Sequence, residues 1–592
     1  MPETQASQPA PGSIQIVEVD IAIAGGGVAG CLAAVGAAEV GAKVAILEKG
    51  GIIERSGSIA AGVDHFIGIL EEGEEWDKPG YLLRHIPATT EGVTDLPAAA
   101  RLIYGLPSMV KRLEDMGVDF QDPDKPDIPY YRHRAFGLPG EYYINFDGRH
   151  FKHSIGRAAR KTGAKVFERV MVSEILMEDG HPKGIVAFGI RTGVVYIVLA
   201  PTIILATGDA NRLGENASGF PFDSWHIPYN TGDGHGMALR VGAQLANMEF
   251  TDSTVCPKGY STQGLNAFVG AGAHFINAEG ERFMFKYHPA GERARRADLV
   301  MGVVSETLAG KGPIYCDCTH LPVEEARHLQ RTLGVDRPAL PDYFDQRKID
   351  LSKEPFEVTV GEIATVRAGA LFRGAGVHID ADAASSIPGI FAAGDCSSMN
   401  AAVAGAAVMG HVAGLSAARF AQTQLRPEPL SKDEIERIHE TLVRPLQREE
   451  GLTFRQFEDQ VRHIVTHYIG YRREEKYLQE ALRRLKLLRQ REQEMVAENY
   501  HGLMRVNEAR NIRAVAEALA TSAIERKESR ASAAHFRVDF PDTDDENGRR
   551  IILVEQGEDD QLLVSSRQTG LPSGVLPEVP PDILAQEEET VS

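Results

Sequence analysis

Ile14-Gln15-Ile16-Val17-Glu18-Val19-Asp20-Ile21-Ala22-Ile23-Ala24 runs directly into Gly25-Gly26-Gly27-Val28-Ala29-Gly30. The first stretch is apolar and rich in β-branched residues, as a buried strand requires. Cys31 to Val40 is Ala-rich and reads as a helix, and Lys43 to Leu47 reads as a second strand. The result is a βαβ unit. Its glycines fit G-x-G-x-x-G, and Glu48 ends the second strand 18 residues after Gly30. In that setting the pattern is the dinucleotide fingerprint. Gly25 permits the tight turn, Gly27 lets the backbone approach a pyrophosphate, and Gly30 lets helix and strand pack closely. The helix N-terminus that begins around Ala29 then faces the phosphates. Glu48, followed by Lys49, would accept hydrogen bonds from the adenosine ribose.

The fingerprint alone does not separate FAD from NAD. Ile203 to Gly208 is a strand ending in Ala206-Thr207-Gly208, and Pro388 to Asp395 is a strand ending in Gly394-Asp395. These resemble the recurring marks of flavoproteins with two dinucleotide-binding folds. In that group the Gly-Asp carboxylate binds the ribityl or pyrophosphate part of FAD. The helix that follows, here about Ala404 to Ala417 and including Ala406 and Ala407, aims its N-terminus at the flavin. A positive helix end there stabilises a reduced, anionic flavin.

Further blocks narrow the match. Asn230-Thr231-Gly232-Asp233-Gly234, Asn247-Met248-Glu249-Phe250, Gly280-Glu281-Arg282-Phe283-Met284, Asp317 with Thr319-His320-Leu321, Glu528-Ser529-Arg530 and His535-Phe536-Arg537 occur in this order. The chain is similar along nearly its whole length to the succinate dehydrogenase/fumarate reductase flavoprotein family. Glu54-Arg55-Ser56-Gly57-Ser58-Ile59-Ala60-Ala61-Gly62 resembles the flavin loop of one branch, the alpha subunit of dissimilatory adenylylsulfate reductase. The resemblance implies an α/β fold: a two-dinucleotide-binding, Rossmann-like FAD domain, an inserted α+β capping domain and a C-terminal helical domain. On this reading residues 1–13 are disordered, 14–234 and 371–425 form the FAD domain, 235–370 the cap, 426–530 the helical domain and 531–592 a tail. The resemblance carries Ser56, Gly57, Ser58, Ala61, Gly62, Met171, Asn230 and Asp233 to the cofactor. Ser56 takes the place where respiratory succinate dehydrogenases carry a flavin-linked histidine, so the FAD is expected to be non-covalent.

The substrate shell departs from the family. Its His-Pro-Thr stretch aligns near Thr254-Val255-Cys256, its His-Tyr-x-Met-Gly-Gly stretch with Leu371 to Gly376, its proton-delivering arginine near Val300 to Gly302, and its carboxylate-binding arginine near Ala402. The expected side chains are missing at all four places, so frame and substrate site part company. The replacement candidates are Arg373, expected to face the flavin cavity because it lies two residues from Leu371 on an extended chain, together with Arg296, His288 and His65.

The bulk properties set outer limits. The 592 residues carry a net charge of −20, which argues against nucleic-acid binding. The longest apolar stretch, Gly193 to Ala206, is broken by Pro201 and too short to cross a bilayer. The first residues are polar, with no basic start and no apolar segment, so no signal peptide is expected. Five scattered cysteines suggest neither disulfides, nor a metal site, nor a resident iron–sulfur cluster, and fit a cytoplasmic location. The expected function is two-electron redox of a small polar or anionic molecule. The resemblance implies hydride transfer at flavin N5, a separate ferredoxin-like iron–sulfur partner and an oligomer. A true fumarate reductase, succinate dehydrogenase or adenylylsulfate reductase with relocated residues is one alternative. A flavin-bearing electron-transfer or structural protein with no substrate site is the other.

Overall fold

The computed structural model describes all residues except 1–9, 61, 135–137, 217, 221, 263–264, 333–338, 366–370, 560 and 570–592. Its centre is a five-stranded parallel sheet, in the order Ile390–Ala392, Thr202–Leu205, Ile21–Ala24, Val44–Glu48 and Lys165–Glu168. The residues on the three central strands are buried, because helices or a second sheet cover both faces. The helices Val28–Glu39 and Ala402–Thr423 pack side by side on it.

The apolar run Ile14 to Ala24, read as one strand, is two. Ile14–Glu18 pairs with Val195–Leu199 in a second sheet, which continues through His181–Gly189 to Val170–Glu178. At Val19 and Asp20 the chain steps across to the central sheet, where the Asp20 N–H donates to Lys43 O. Gly193 to Ala206 makes the same step at Ala200-Pro201, from Val195–Leu199 to Thr202–Leu205. The two runs stay paired on either side of the step, so one crossing supports the other.

The region 50–150 holds helices Pro79–Thr89 and Leu96–Asp115 and also a small antiparallel sheet. Its strands are His65–Ile67, Tyr143–Asn145 and Tyr131–His133. The inserted region has its own core, built on the sheet Val255–Pro257, Phe356–Val360, Ile314–Asp317 and His274–Ile276. Cys316 and Cys318 are both buried in that core. The helices Phe454–Ile464, Glu475–Arg491 and Tyr500–Glu525 form the helical region and share the main core. The strand Arg550–Gln556 returns to pair with Leu245–Ala246, and Leu562–Gln568 pairs with it on the outer side.

Ala402–Thr423 is long and apolar enough to cross a membrane, which the reading of apolar runs overlooked. More than half of its apolar window is buried within the fold, against Val28–Glu39.

Candidate active site

The cofactor cradle is built from backbone. Gly25 adopts φ +100, and a Cβ there would fall 2.3 Å from Ala206 O. A Cβ on Gly30 would fall 1.9 Å from Gly25 O, whereas one on Gly27 meets nothing. The loop is therefore closed on its protein side and open where a pyrophosphate would lie. Helix Val28–Glu39 begins at Gly27 with no side-chain cap; Ala402–Thr423 begins at Ala401, with only its first N–H taken, by Asn400 Oδ1. Each leaves N–H groups and a positive helix end for an anion. Gly394 lies against Ala29 and Ala406, and Gly57 stands over Gly27, so the loops meet at one place. These features fit FAD.

Side chains trim the cradle. The Glu48 carboxylate accepts from Gly26 N at 2.7 Å and Gly50 N at 2.5 Å, which fixes it at the strand end. Each oxygen retains a lone pair for a ribose hydroxyl. Asn230 donates to Ser58 Oγ at 3.2 Å and to Asp209, tying the flavin loop to Gly208. Thr207 Oγ1 accepts from Gly234 N at 2.9 Å and so caps the helix Asp233–Arg240. Ser56 is buried on Ile53 O, and Gly62 packs on Arg149. Asp395 occupies the short turn Gly394–Cys396 after the strand. Met171 and Ala407 are wholly buried, so their side chains face the core. Ala61 lies outside the described residues.

Lys49 and Asp233, expected at the cofactor, bind each other at 2.7 Å. Lys49 also reaches Glu508 at 3.0 Å, and Glu508 holds Arg212 and Arg505 at 2.9 and 2.6 Å. Burial alone would raise the Glu508 carboxyl, but Lys49, Arg212 and Arg505 outweigh it and hold the carboxyl down to about 2. Lys49 and Asp233 act as a brace between the FAD domain and the helical region.

A second polar group forms where the small sheet, the cap and the C-terminal segment meet. The His65 ring lies 4.2 Å from the Tyr143 ring, with His133 5.3 Å from Tyr143. His65 Nδ1 is 2.6 Å from Asp64. Burial raises the Tyr143 phenol, and the charge of Arg296 pulls it part of the way back. Burial lowers the His133 imidazole, and His65 adds to that. Arg296 opens the helix Arg296–Leu308 and touches both Asp252 oxygens at 3.3 Å, while its buried Nε has no partner. Beside it Arg295 bonds Glu91, whose other oxygen accepts from Ser532. Thr251, Asp252, Ser253, Arg295, Arg296 and Ser532 line a cavity of about 20 Å³.

The four substrate candidates fare differently. His65 packs on the Tyr143 ring, whose phenol the charge of Arg296 pulls back, while Arg296 itself binds Asp252. His288 is held in its own turn, where Nδ1 accepts from Ala290 N at 3.1 Å. Arg373 requires a correction. The chain around it is not extended, because Phe372 adopts φ +61. Phe372 N and Gly374 N donate to Asn400 O and Ser398 O, and the guanidinium turns into the protein. It donates to Thr90 O and Ser532 Oγ, both at 2.7 Å, and lies over Phe250. Arg373 is thus buried behind Ser532 and meets the cleft only through it. His133, Tyr143 and Glu91 were missed by sequence reasoning. The strands that carry the first two are three residues long, too short for a periodic signal.

Two family models match the chain: the FAD binding domain over residues 20–409 and the fumarate reductase flavoprotein C-terminus over residues 458–573. The chain belongs to the fumarate reductase and succinate dehydrogenase flavoprotein family. It is an FAD-dependent oxidoreductase. The sequence is 27% identical to a fumarate reductase (CoM/CoB) chain of Methanothermobacter marburgensis, over 91% of this chain and 97% of that protein. It is also 27% identical to L-aspartate oxidase of Streptomyces coelicolor, over 97% of this chain and 96% of that one. The fold superposes on adenylylsulfate reductase from the hyperthermophilic Archaeoglobus fulgidus with a TM-score of 0.82 at 23% identity, covering 96% and 99% of the two chains. The family's C-terminal signature is structural in this chain. Arg526 binds Glu249 and Glu528, Arg530 binds Glu528, and Arg473 donates to His535, all buried.

Proposed function

We propose that this flavoprotein catalyses two-electron redox of a small anionic substrate held in the cleft between the small sheet and the cap. The observation that carries this reading is the surplus of positive charge there. Arg295, Arg296 and Arg373 converge on the carboxylates of Glu91 and Asp252. The nearby Asp298 carboxyl is pushed by burial towards its neutral form. The unpartnered Nε–H of Arg296 is a charge-assisted donor for such an anion.

Bound FAD supplies the acceptor or donor of the electron pair. Arg296 binds the anion and orients it. His65 and Tyr143 stand beside it as the groups able to hold or move a proton, with Asp64 fixing the His65 ring. Electrons then pass to or from a separate iron–sulfur protein, a reading that rests on the family resemblance and on the scatter of the five cysteines. The cofactor is held without a covalent bond, since Ser56 cannot make a histidyl link.

Anaerobic mixing of the FAD-loaded protein with a panel of small anions (dicarboxylates, amino acids, sulfur oxyanions) should bleach the flavin with at least one of them. Arg296→Lys is expected to keep its flavin and to lose at least about tenfold in kcat/KM, about 1.4 kcal/mol. Parent-like turnover in that variant would move the substrate elsewhere. Fumarate with a reduced dye is expected to turn over slowly, given Thr254, Leu371 and Ala402 at the positions of the family's polar side chains. Absence of bleaching by every anion would favour a flavin-bearing carrier.

A further inference from the structure

Away from the cradle and the cleft, Glu215, His463 and His467 come together at the surface. The histidines are four residues apart, one in the helix Phe454–Ile464 and one in the π-helical turn Val465–Ile469 that continues it. Side chains at that spacing share a face, and the two rings are 4.4 Å apart. Glu215 arrives from the distant segment that follows Gly208. Its backbone N–H donates at 2.8 Å to Thr466 Oγ1, a residue between the two histidines. That bond places the carboxylate astride the rings. One oxygen is 3.6 Å from His463 Nδ1 and the other 3.6 Å from His467 Nε2.

The three donor atoms lie within 4.8 Å of one another. A tetrahedral zinc ion with bonds of about 2.0–2.2 Å needs its ligand atoms about 3.3–3.6 Å apart. The side chains are 51–54% exposed and have room to make that small adjustment. The π turn closes the helix at Gly470 and sets the angle at which His467 faces Glu215. Without it, the helix would carry residue 467 round to a different angle relative to Glu215. We propose that Glu215, His463 and His467 bind one divalent transition cation of the zinc class, with water completing the coordination. Two imidazoles and one carboxylate favour Zn²⁺, Ni²⁺ or Co²⁺ over Mg²⁺ and Ca²⁺, whose preferred ligands are all oxygen. The cation staples the segment after Gly208, which leads to the cofactor residue Asn230, onto the helical region.

The test uses the full-length, tag-free, FAD-loaded protein stripped of metal by a chelator. Calorimetric titration with Zn²⁺ should show one equivalent bound and a raised Tm. Co²⁺ should give visible d–d absorption from a mixed nitrogen and oxygen site. His463→Ala, His467→Ala and Glu215→Gln should each weaken binding at least about tenfold. Their flavin spectra and metal-free Tm should match the parent, since the side chains are exposed. His153→Ala, an exposed histidine elsewhere, should change nothing. The proposal falls if the parent binds neither ion, or if the three variants bind Zn²⁺ as the parent does.

Discussion

Single residues carry two predictions. The first follows from Ser56, buried on Ile53 O at the place where the resemblance to respiratory succinate dehydrogenases implies a flavin-linked histidine. Acid precipitation should leave the yellow colour in the supernatant as free FAD, and colour retained in the pellet would contradict the assignment. The second concerns Glu362, of which only 1% is exposed and whose carboxylate oxygens lack well-formed hydrogen bonds. Burial raises the carboxyl to about 7, with Arg462 opposing. An unfolded glutamate titrates near 4.3. Between those values the folded chain binds the extra proton, so stability falls as pH rises from about 4.3 to 7 and the full penalty, about 3–4 kcal/mol, is present above 7. Glu362→Gln should therefore be more stable than the parent at pH 8 and nearly equal to it at pH 4, measured by urea unfolding. A constant difference across that range would exclude the titration. Residues read through their backbone role, such as Gly25 and Gly30, were legible in the sequence. Arg373 was not, because one left-handed residue, Phe372, cancels the alternation from which its direction was inferred.

Among elements, the pair Val28–Glu39 and Ala402–Thr423 governs the cradle. The helices touch backbone to backbone: a Cβ on Gly410 would fall 2.5 Å from Ala29 O, and one on Gly414 2.0 Å from Ala33 O. Glycine inside a helix normally costs about 1 kcal/mol relative to alanine. Gly414→Ala should show the opposite sign here, because the methyl forces the helices apart at a cost of about 1–3 kcal/mol. Chemical denaturation gives the sign, and the flavin content of the purified variant should fall with it, since Ala29 and Gly394 share the same contact. A stabilised variant with full flavin would show that the helices can separate freely. The split of Ile14 to Ala24 into two strands belongs to this scale as well. Nothing in the local pattern marks the step between sheets, because apolar residues flank Asp20 on both sides.

At the scale of the whole molecule, buried ion pairs join regions that the sequence presents separately. Glu508 of the helical region faces Lys49 of the FAD domain and Arg212 of the segment after Gly208. Its carboxyl is held at about 2. That lies below the unfolded value, so it adds stability above about pH 4.3 that disappears as pH falls towards 2. Glu508→Gln would leave Lys49, Arg212 and Arg505 facing a neutral group. The expected loss is about 3–5 kcal/mol at pH 7, with less of the parent's acid sensitivity below pH 4. Thermal unfolding followed by flavin fluorescence reports both. An unchanged Tm at pH 7 would mean that solvent replaces the pair.

By itself the sequence determined the α/β frame, the FAD and the family. These depend on short-range patterns: a strand, a glycine turn and a helix whose N–H groups do the binding, joined by the strand ends Ala206-Thr207-Gly208 and Gly394-Asp395. The tertiary structure alone decided the cleft. Glu91, His133, Tyr143, Arg295 and Ser532 come from separate segments, and no local period announces that they will meet. It also decided that Lys49 and Asp233 pair with each other and that Arg373 turns inward. A charged side chain settles where its partner is buried, and that partner is fixed by the path of the whole chain.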